Sequence, residues 1–156
     1  GRDLLGDDVP SDELNEITLP GEHFGFPYCH QGDVPDPEFG KGKKCSDYTA
    51  PVLKLGAHVA SLGMRFYSGT QFPAGYRGAI IVAEHGSWNR TRKSGYRVMA
   101  VRLKGSKVIA YEPLITGFEQ DESAWGRPVD VQPLPDGSLL VSDDLAGAVY
   151  RVTYQP

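Results

Sequence analysis

Short apolar stretches dominate the hydrophobic pattern of this chain. They alternate with polar residues or run continuously, and Gly, Pro, Asp and Asn bound them. Helical periodicity is almost absent, so the pattern predicts many short β-strands and a nearly all-β protein. The predicted strands lie near residues 59–67, 79–84, 96–103, 107–116, 129–133, 138–142 and 148–154.

Two turns between these strands have characteristic sequences. Leu134 is followed by Pro135, Asp136 and Gly137, which combine a preset backbone angle with the residues favoured in tight hairpins. The segment 104–106 (Lys-Gly-Ser) predicts a second hairpin turn.

An internal repeat indicates the architecture. The segment Ile80–Glu84 aligns with Leu139–Asp143 at an offset of 59, and 96–98 aligns with 150–152 at an offset of 54, so one unit has five extra loop residues. Residues 12–17 resemble a third, weaker copy of this repeat. Repeats of this size with about four strands are typical of β-propeller blades. We expect a partial blade with loops over 1–57, a complete four-stranded blade over 58–116, and a final blade over 117–156 that lacks its outer strand.

Composition and charge narrow the class of protein. Lys and Arg number 16 against 20 Asp and Glu, for a formal charge of −4, and Gly and Pro contribute 31 of 156 residues without forming a tract. This composition is typical of a soluble, turn-rich globular domain. The longest fully apolar run, 78–83, is far shorter than the roughly 20 residues of a membrane span. Nothing polybasic indicates nucleic-acid binding, because the basic residues of 90–97 are one local cluster.

The first residues and the blade count predict an incomplete unit. The chain begins at Gly1 in turn-like sequence, without an initiator Met or a signal-like apolar segment, which we interpret as a fragment or a processed product. Two or three blades cannot close a ring that needs roughly four to eight. We therefore expect either a missing N-terminal half or self-association of copies.

Cys29 and Cys45 are the only cysteines. A disulfide between them would close a loop and stabilise an exported chain by about 3 kcal/mol. Two inert thiols are the main alternative. Metal ligation with His23 or His30 is disfavoured, because the spacing of common zinc or haem motifs is missing.

Three ordered motif blocks carry a family resemblance: GRDLLGDDVPSDELN with GEHFGFPYC, MRFYSG with FPAGYRGAIIVAEHGSWNR, and GRPVDV with PDGSLLVSDDLAGAVYRV. The chain resembles the C-terminal half of the sorbosone dehydrogenase and soluble glucose dehydrogenase family. That resemblance implies half of a six-bladed propeller, the cofactors pyrroloquinoline quinone (PQQ) and Ca²⁺, an aldose or sorbosone as substrate, an external electron acceptor, and a periplasmic or secreted location. The alternative is a non-catalytic propeller that binds carbohydrate or protein, since a fold does not determine a function.

The resemblance also implies cofactor-binding residues. PQQ is a planar tricarboxylate, and the planar guanidinium of Arg127 suits bidentate carboxylate recognition. Arg127 matches a PQQ-contacting arginine of the family, although Val129 replaces a second arginine; a surface ion pair is the alternative. Asp12 matches a segment that borders the cofactor, and Gly1 falls near a carbonyl that binds calcium. Asp7 and Asp8 are more simply explained as solvated turn carboxylates.

The longer loop of the complete blade, 85–90, is a further candidate, because long loops at one rim of a propeller carry function. Trp88 could stack on a quinone or a sugar, and His85 could form a hydrogen bond to it. His58 opens the predicted inner strand and matches a position near PQQ, with a capping role as the alternative. We expect His58, Arg127 and the 85–90 loop to lie on one rim.

The catalytic histidine of the family lies in its N-terminal half, and none of the four histidines of this chain matches it. We therefore expect no catalytic residue here, and an inactive chain when it is alone.

Overall fold

The computed structural model describes residues 2–155 and confirms the all-β prediction. Its only helical elements in that range are 3₁₀ turns at Cys45–Asp47 and Ala74–Tyr76. The strands are β1 (Ser11–Leu14), β2 (Cys29–His30), β3 (Val34–Pro35), β4 (Leu53–Ala57), β5 (Ser61–Phe66), β6 (Ile80–Glu84), β7 (Arg97–Lys104), β8 (Lys107–Ile115), β9 (Glu119–Gln120), β10 (Ser123–Ala124), β11 (Pro128–Pro133), β12 (Leu139–Asp143) and β13 (Ala148–Val152).

The described residues divide into two compact units. Unit 1 comprises residues 2–59 and the segment Ser87–Ser94, and unit 2 comprises residues 60–86 and 95–155. The loop between β6 and β7 therefore leaves unit 2 after Gly86 and returns to it at Gly95.

In unit 2, residues 61–115 contain a four-stranded antiparallel sheet in the order β5-β6-β7-β8. Its first strand starts at Ser61, later than predicted. His58 and Ala60 have φ angles of 61° and 52°, and this left-handed backbone interrupts an extended strand. The expectation that His58 opens the inner strand is therefore wrong.

A second antiparallel sheet of unit 2 has three strands, in the order β11-β12-β13. The Asp136 turn forms as predicted: Gly137 has φ 85°, and its N–H donates to the carbonyl of Leu134 at 2.9 Å. The hairpin at 104–106 also forms, with Lys104 opposite Lys107.

One hydrophobic core joins the two sheets of unit 2. Alternate residues of β6, β7 and β12 point into it, as the period of two predicts. Burying each of its large side chains contributes about 1.5–3 kcal/mol. The buried members are Tyr67, Phe72, Ala79, Ile81, Ala83, Val98, Ala100, Val131, Leu139 and Val141.

Unit 1 contains two strand pairs and a disulfide. β1 pairs with β4, and β2 pairs with β3. Cys29 and Cys45 form the predicted disulfide, with Cα atoms 5.5 Å apart. The strand signal at residues 12–17 corresponds only to β1, which ends at Leu14.

Beside the disulfide, Asp36 is a buried polar centre. Its Oδ2 atom lies 2.8 Å from Nε2 of His30 and 3.2 Å from Nη1 of Arg2. Its Oδ1 atom accepts hydrogen bonds from the backbone N–H groups of Glu38 and Phe39. These donors satisfy a carboxylate that is only 3% exposed.

In the described part of the chain, no helix has both the length and the apolar character that crossing a membrane requires.

Candidate functional site

Three polar side chains from separate segments meet in unit 2. His85 follows β6, Asp144 follows β12, and Arg127 precedes β11. Nε2 of His85 lies 3.1 Å from each carboxylate oxygen of Asp144, and Nε of Arg127 donates to Oδ1 of Asp144 at 3.0 Å. We call these residues the His85–Asp144–Arg127 cluster. It brings together two of the residues that the sequence predicts as cofactor ligands.

The backbone N–H groups of His85 and Arg127 both form hydrogen bonds within unit 2. The N–H of His85 donates to the carbonyl of Ala60 at 3.0 Å. The N–H of Arg127 donates to Oδ1 of Asp143 at 3.0 Å, and the same oxygen accepts the N–H groups of Leu145 and Ala146. Asp143 therefore shapes the turn that presents Asp144, as Asp residues in turns commonly do.

Asp143 is buried, and its environment keeps it ionised. Burial alone would raise the pKa of its carboxyl, but hydrogen bonds from Ala146, Arg127, Tyr150 and Leu145 lower that pKa below its usual value. Its Oδ2 atom accepts the hydroxyl of Tyr150 at 3.1 Å. Gly126 lies against this carboxylate, where a Cβ atom would collide with it and with the ring of Phe118.

Asp144 is an exposed carboxylate with two cationic or polar neighbours. The hydrogen bond from His85, followed by the charge interactions with His85 and then with Arg127, lowers the pKa of Asp144. Within residues 2–155, Nδ1 of His85 and both Nη atoms of Arg127 have no hydrogen-bond partner. The side chains of His85 and Arg127 are 20% and 38% exposed. A ligand can therefore reach an imidazole nitrogen and a guanidinium edge that one carboxylate holds in place.

The buried residue before His85 has a different role. Glu84 is fully buried, Nε of Arg97 donates to it at 2.7 Å, and the hydroxyl of Tyr111 also donates to it. Burial, and next the hydrogen bond to Glu84, raise the pKa of Tyr111. Glu84 and Asp143 are equivalent in the repeat, and each ends the second strand of its sheet with a satisfied buried carboxylate.

His58 lies in unit 1 and has internal partners. It is buried, its Nε2 atom donates to the carbonyl of Gly6 at 2.7 Å, and its Nδ1 atom lies 3.5 Å from Oδ1 of Asp3. These contacts match the capping role that the sequence left open. They attach the first turn of the chain to the segment after β4.

The remaining loop residues also lie in unit 1. Nε of Arg90 donates to the carbonyl of Asp7 at 2.9 Å, and Nη2 of Arg90 lies 3.2 Å from Oδ1 of Asp8. Hydrogen bonds from the side chain and then from the backbone N–H of Thr91 lower the pKa of the Asp7 carboxyl. Trp88 is 76% exposed. The ordered loop therefore presents an indole ring to solvent.

The structure adds little for Asp12, which was suggested near the cofactor, and for Gly1, which was suggested near calcium. Asp12 lies in β1 opposite Gly56, and Gly1 lies outside the described residues. Across residues 2–155, no three His, Cys, Asp or Glu side chains group closely enough to hold a metal ion.

Asp144 is the member of the cluster that sequence reasoning missed. The repeat offset of 59 that aligns Glu84 with Asp143 also aligns His85 with Asp144. Extending the alignment by one residue would have identified a histidine and an aspartate at equivalent positions of consecutive repeats.

Comparison with protein families identifies one model that covers nearly the whole chain. The model described as TrAA12-like matches residues 4–155. A curated relative, an uncharacterized protein of Borreliella burgdorferi, is 41% identical over 159 residues, covering 99% of this chain and 42% of the relative. The pyrroloquinoline quinone-dependent pyranose dehydrogenase of Coprinopsis cinerea is 30% identical over 123 residues, covering 65% of this chain and 16% of that protein.

Solved structures share the fold of this chain. The Trichoderma reesei protein of Carbohydrate-Active Enzymes Family AA12, in its calcium structure, has a TM-score of 0.78 at 20% identity, covering 93% of this chain and 43% of that one. The PQQ domain of Coprinopsis cinerea pyranose dehydrogenase, in its holo form, has a TM-score of 0.71 at 23% identity, with 96% and 46% covered. A glucose dehydrogenase has a TM-score of 0.69 at 28% identity, with 94% and 38% covered.

These relatives confirm the family resemblance drawn from the sequence motifs, since a PQQ-dependent pyranose dehydrogenase and a glucose dehydrogenase are among them. The chain spans less than half the length of the relatives and structures that it matches.

Proposed function

Because the chain belongs to the TrAA12-like family, we propose that it is the C-terminal part of a PQQ-dependent sugar dehydrogenase. The observation that carries the proposal is the His85–Asp144–Arg127 cluster. It provides a fixed guanidinium edge and an accessible imidazole at positions where the sequence predicted cofactor ligands.

The residues present fit one part of this cofactor. Each carboxylate of a quinone tricarboxylate needs a cationic or N–H donor. The Nε atom of Arg127 is held by Asp144, which leaves its two Nη groups in the plane that suits a bidentate carboxylate. PQQ, when bound, supplies a quinone that takes up the hydride equivalent removed from a sugar carbon. The role of Arg127 is to bind and orient one carboxylate beside it.

The other candidates rest on the resemblance. We propose His58, Trp88 and Asp12 of unit 1 as further cofactor-binding residues. Trp88 offers an exposed aromatic face, whereas His58 is already hydrogen-bonded to Gly6. For calcium, the side chains of residues 2–155 do not form a ligand set, and we derive no role for a metal from them.

The dehydrogenase activity that we propose belongs to the full-length protein and not to this chain alone. We propose a six-bladed propeller of which this chain contributes about half, and an aldose or sorbosone as substrate with an external electron acceptor. The catalytic histidine would come from the other half, so the isolated chain would be inactive. We also propose export to the periplasm or the medium, because the Cys29–Cys45 disulfide is typical of oxidising compartments.

Turnover tests this proposal. The full-length protein that contains this chain should oxidise D-glucose or L-sorbosone with an artificial electron acceptor only after PQQ and Ca²⁺ are added, and residues 1–156 alone should not. Equal turnover without the quinone would contradict the proposal. Tight sugar binding without any redox turnover would favour a non-catalytic carbohydrate-binding propeller instead.

A further inference from the structure

We infer that Asp144 is a positioning residue that keeps a hydrogen on Nε2 of His85, so that Nδ1 of the neutral imidazole can accept a hydrogen bond from a hydroxyl group of the bound sugar. The sugar in this statement rests on the proposed function. The assignment of the hydrogen to Nε2 rests only on the geometry of the cluster.

The argument begins with the two carboxylate oxygens. Both lie 3.1 Å from Nε2 of His85, within hydrogen-bond distance. An ionised carboxylate only accepts hydrogen bonds, so Nε2 must be the donor. In a neutral imidazole the other nitrogen is then an acceptor, since the hydrogen bond of one nitrogen determines the state of the second.

Arg127 restricts Asp144 further. Its Nε atom donates to Oδ1 of the same carboxylate at 3.0 Å. Because guanidinium nitrogens only donate, Asp144 must present acceptors to both neighbours at once. Its lowered pKa favours the ionised form that does so. Asp144 therefore couples the orientation of the imidazole to the orientation of the guanidinium.

The free atoms of the cluster then differ in what they can bind. The Nη groups of Arg127 donate, and they suit the carboxylate or carbonyl oxygens of a quinone. Nδ1 of neutral His85 accepts, so it cannot form a hydrogen bond with such oxygens, which have no hydrogen to donate. A sugar hydroxyl is a donor, and Nδ1 has no partner within residues 2–155.

Asp144→Asn is a sharp test because an amide has one acceptor oxygen and one donor nitrogen. If the oxygen stays beside Arg127, the amide nitrogen takes the place of the other carboxylate oxygen, also 3.1 Å from Nε2 of His85, so an Nε2–H group would face one acceptor and one donor instead of two acceptors. Relief comes when the imidazole hydrogen moves to Nδ1, so the substitution should change the tautomer. Asp130→Asn is the matched control: Asp130 is equally exposed, at 47%, and pairs with Arg65 in the same unit.

The experiment uses the full-length protein with ¹⁵N-labelled histidine rings, at a pH where imidazole is neutral. Protonated and unprotonated ring nitrogens have well-separated ¹⁵N shifts, and the His85 signals are assigned by their loss in His85→Gln. We expect the Nε2–H form in the wild type and in Asp130→Asn, and a major Nδ1–H population in Asp144→Asn. A wild-type Nδ1–H form, or an unchanged tautomer in Asp144→Asn, would overturn the role of Asp144.

The same spectra test the ligand. D-Glucose or L-sorbosone, added without an electron acceptor, should shift the Nδ1 resonance of the wild type and have little effect on that of Asp144→Asn. If neither sugar shifts it, the hydroxyl assignment is wrong. Failure of the protein to bind PQQ would contradict the proposed function but would leave the tautomer result standing, so the two failures are distinguishable.

Discussion

The hydroxyl of Tyr67 donates a 2.6 Å hydrogen bond to the carbonyl of Gly137, 70 residues further along the chain. Tyr67 follows the first strand of one sheet, and Gly137 lies in the turn that leads into β12 of the other. The same hydroxyl accepts the N–H of Phe72 at 3.1 Å, and Tyr67 is 1% exposed. One buried phenol therefore satisfies backbone groups of two consecutive repeats.

We predict that Tyr67→Phe destabilises the protein by about 1–3 kcal/mol, because it leaves the carbonyl of Gly137 and the N–H of Phe72 buried without this partner. Urea unfolding monitored by circular dichroism measures the change. Tyr154→Phe is the control: Tyr154 is 41% exposed, and its hydroxyl has no hydrogen bond within residues 2–155. Equal stabilities of the two variants would contradict the role of Tyr67.

The disulfide provides a second stability prediction. Cys29 and Cys45 are 16 residues apart, and in the chain-entropy model closing a loop of that length stabilises the folded state by about 3 kcal/mol. Replacing both with serine should lower the free energy of unfolding by a similar amount. A reducing agent should destabilise the wild type to the same extent and leave the double variant unchanged. A reductant effect on the double variant would show that another process is involved.

Asp36 should make unit 1 sensitive to acid. The hydrogen bond from His30, followed by the N–H of Phe39, lowers the pKa of Asp36 from 3.8 to about 2. A carboxyl whose pKa is lower in the folded state than in the unfolded state stabilises the fold at any pH above its unfolded-state pKa. This contribution is lost as the pH falls from about 3.8 to about 2. The difference in the free energy of unfolding between the wild type and Asp36→Asn should therefore have its largest value at pH 6 and should decrease below about pH 4.

Unfolding midpoints in urea, measured from pH 6 down to pH 3, test this prediction. Asp47→Asn is the control, because Asp47 is exposed and its side chain has no partner within the described residues. A difference between the wild type and Asp36→Asn that does not depend on pH would show that Asp36 acts through shape and not through its charge.

The periodic elements of unit 2 were predictable from the sequence, whereas much of unit 1 was not. Seven strands, from β5 to β8 and from β11 to β13, match the predicted segments because alternating or continuous apolar residues and flanking turn residues mark them. The two-residue strands β2, β3, β9 and β10 are too short to show any period. β4, which pairs with β1, was also missed, since its Gly56 weakens the strand signal.

For the candidate site, the sequence identified side chains but not their partners. His85 and Arg127 were selected for their chemistry, and both belong to the cluster. Asp144 was missed because it follows Asp143 in a segment that reads as an ordinary turn. The internal hydrogen bonds of His58 depend on a contact with Gly6, 52 residues away, which no local pattern reveals.

The last prediction concerns the cofactor. A charge-assisted pair between a quinone carboxylate and Arg127 contributes about 1.5–3 kcal/mol. Arg127→Ala in the full-length protein should therefore weaken PQQ affinity by about ten- to a hundredfold, since 1.4 kcal/mol corresponds to a factor of ten. Isothermal titration of the apoprotein with PQQ measures this directly.

Arg65→Ala is the control, because Arg65 is also partly exposed and also pairs with an aspartate of unit 2. It should leave the affinity unchanged, so an equal loss in both variants would indicate a general effect of charge. Unchanged affinity in Arg127→Ala would show that the guanidinium serves only to hold Asp144, with which it already forms a 3.0 Å ion pair.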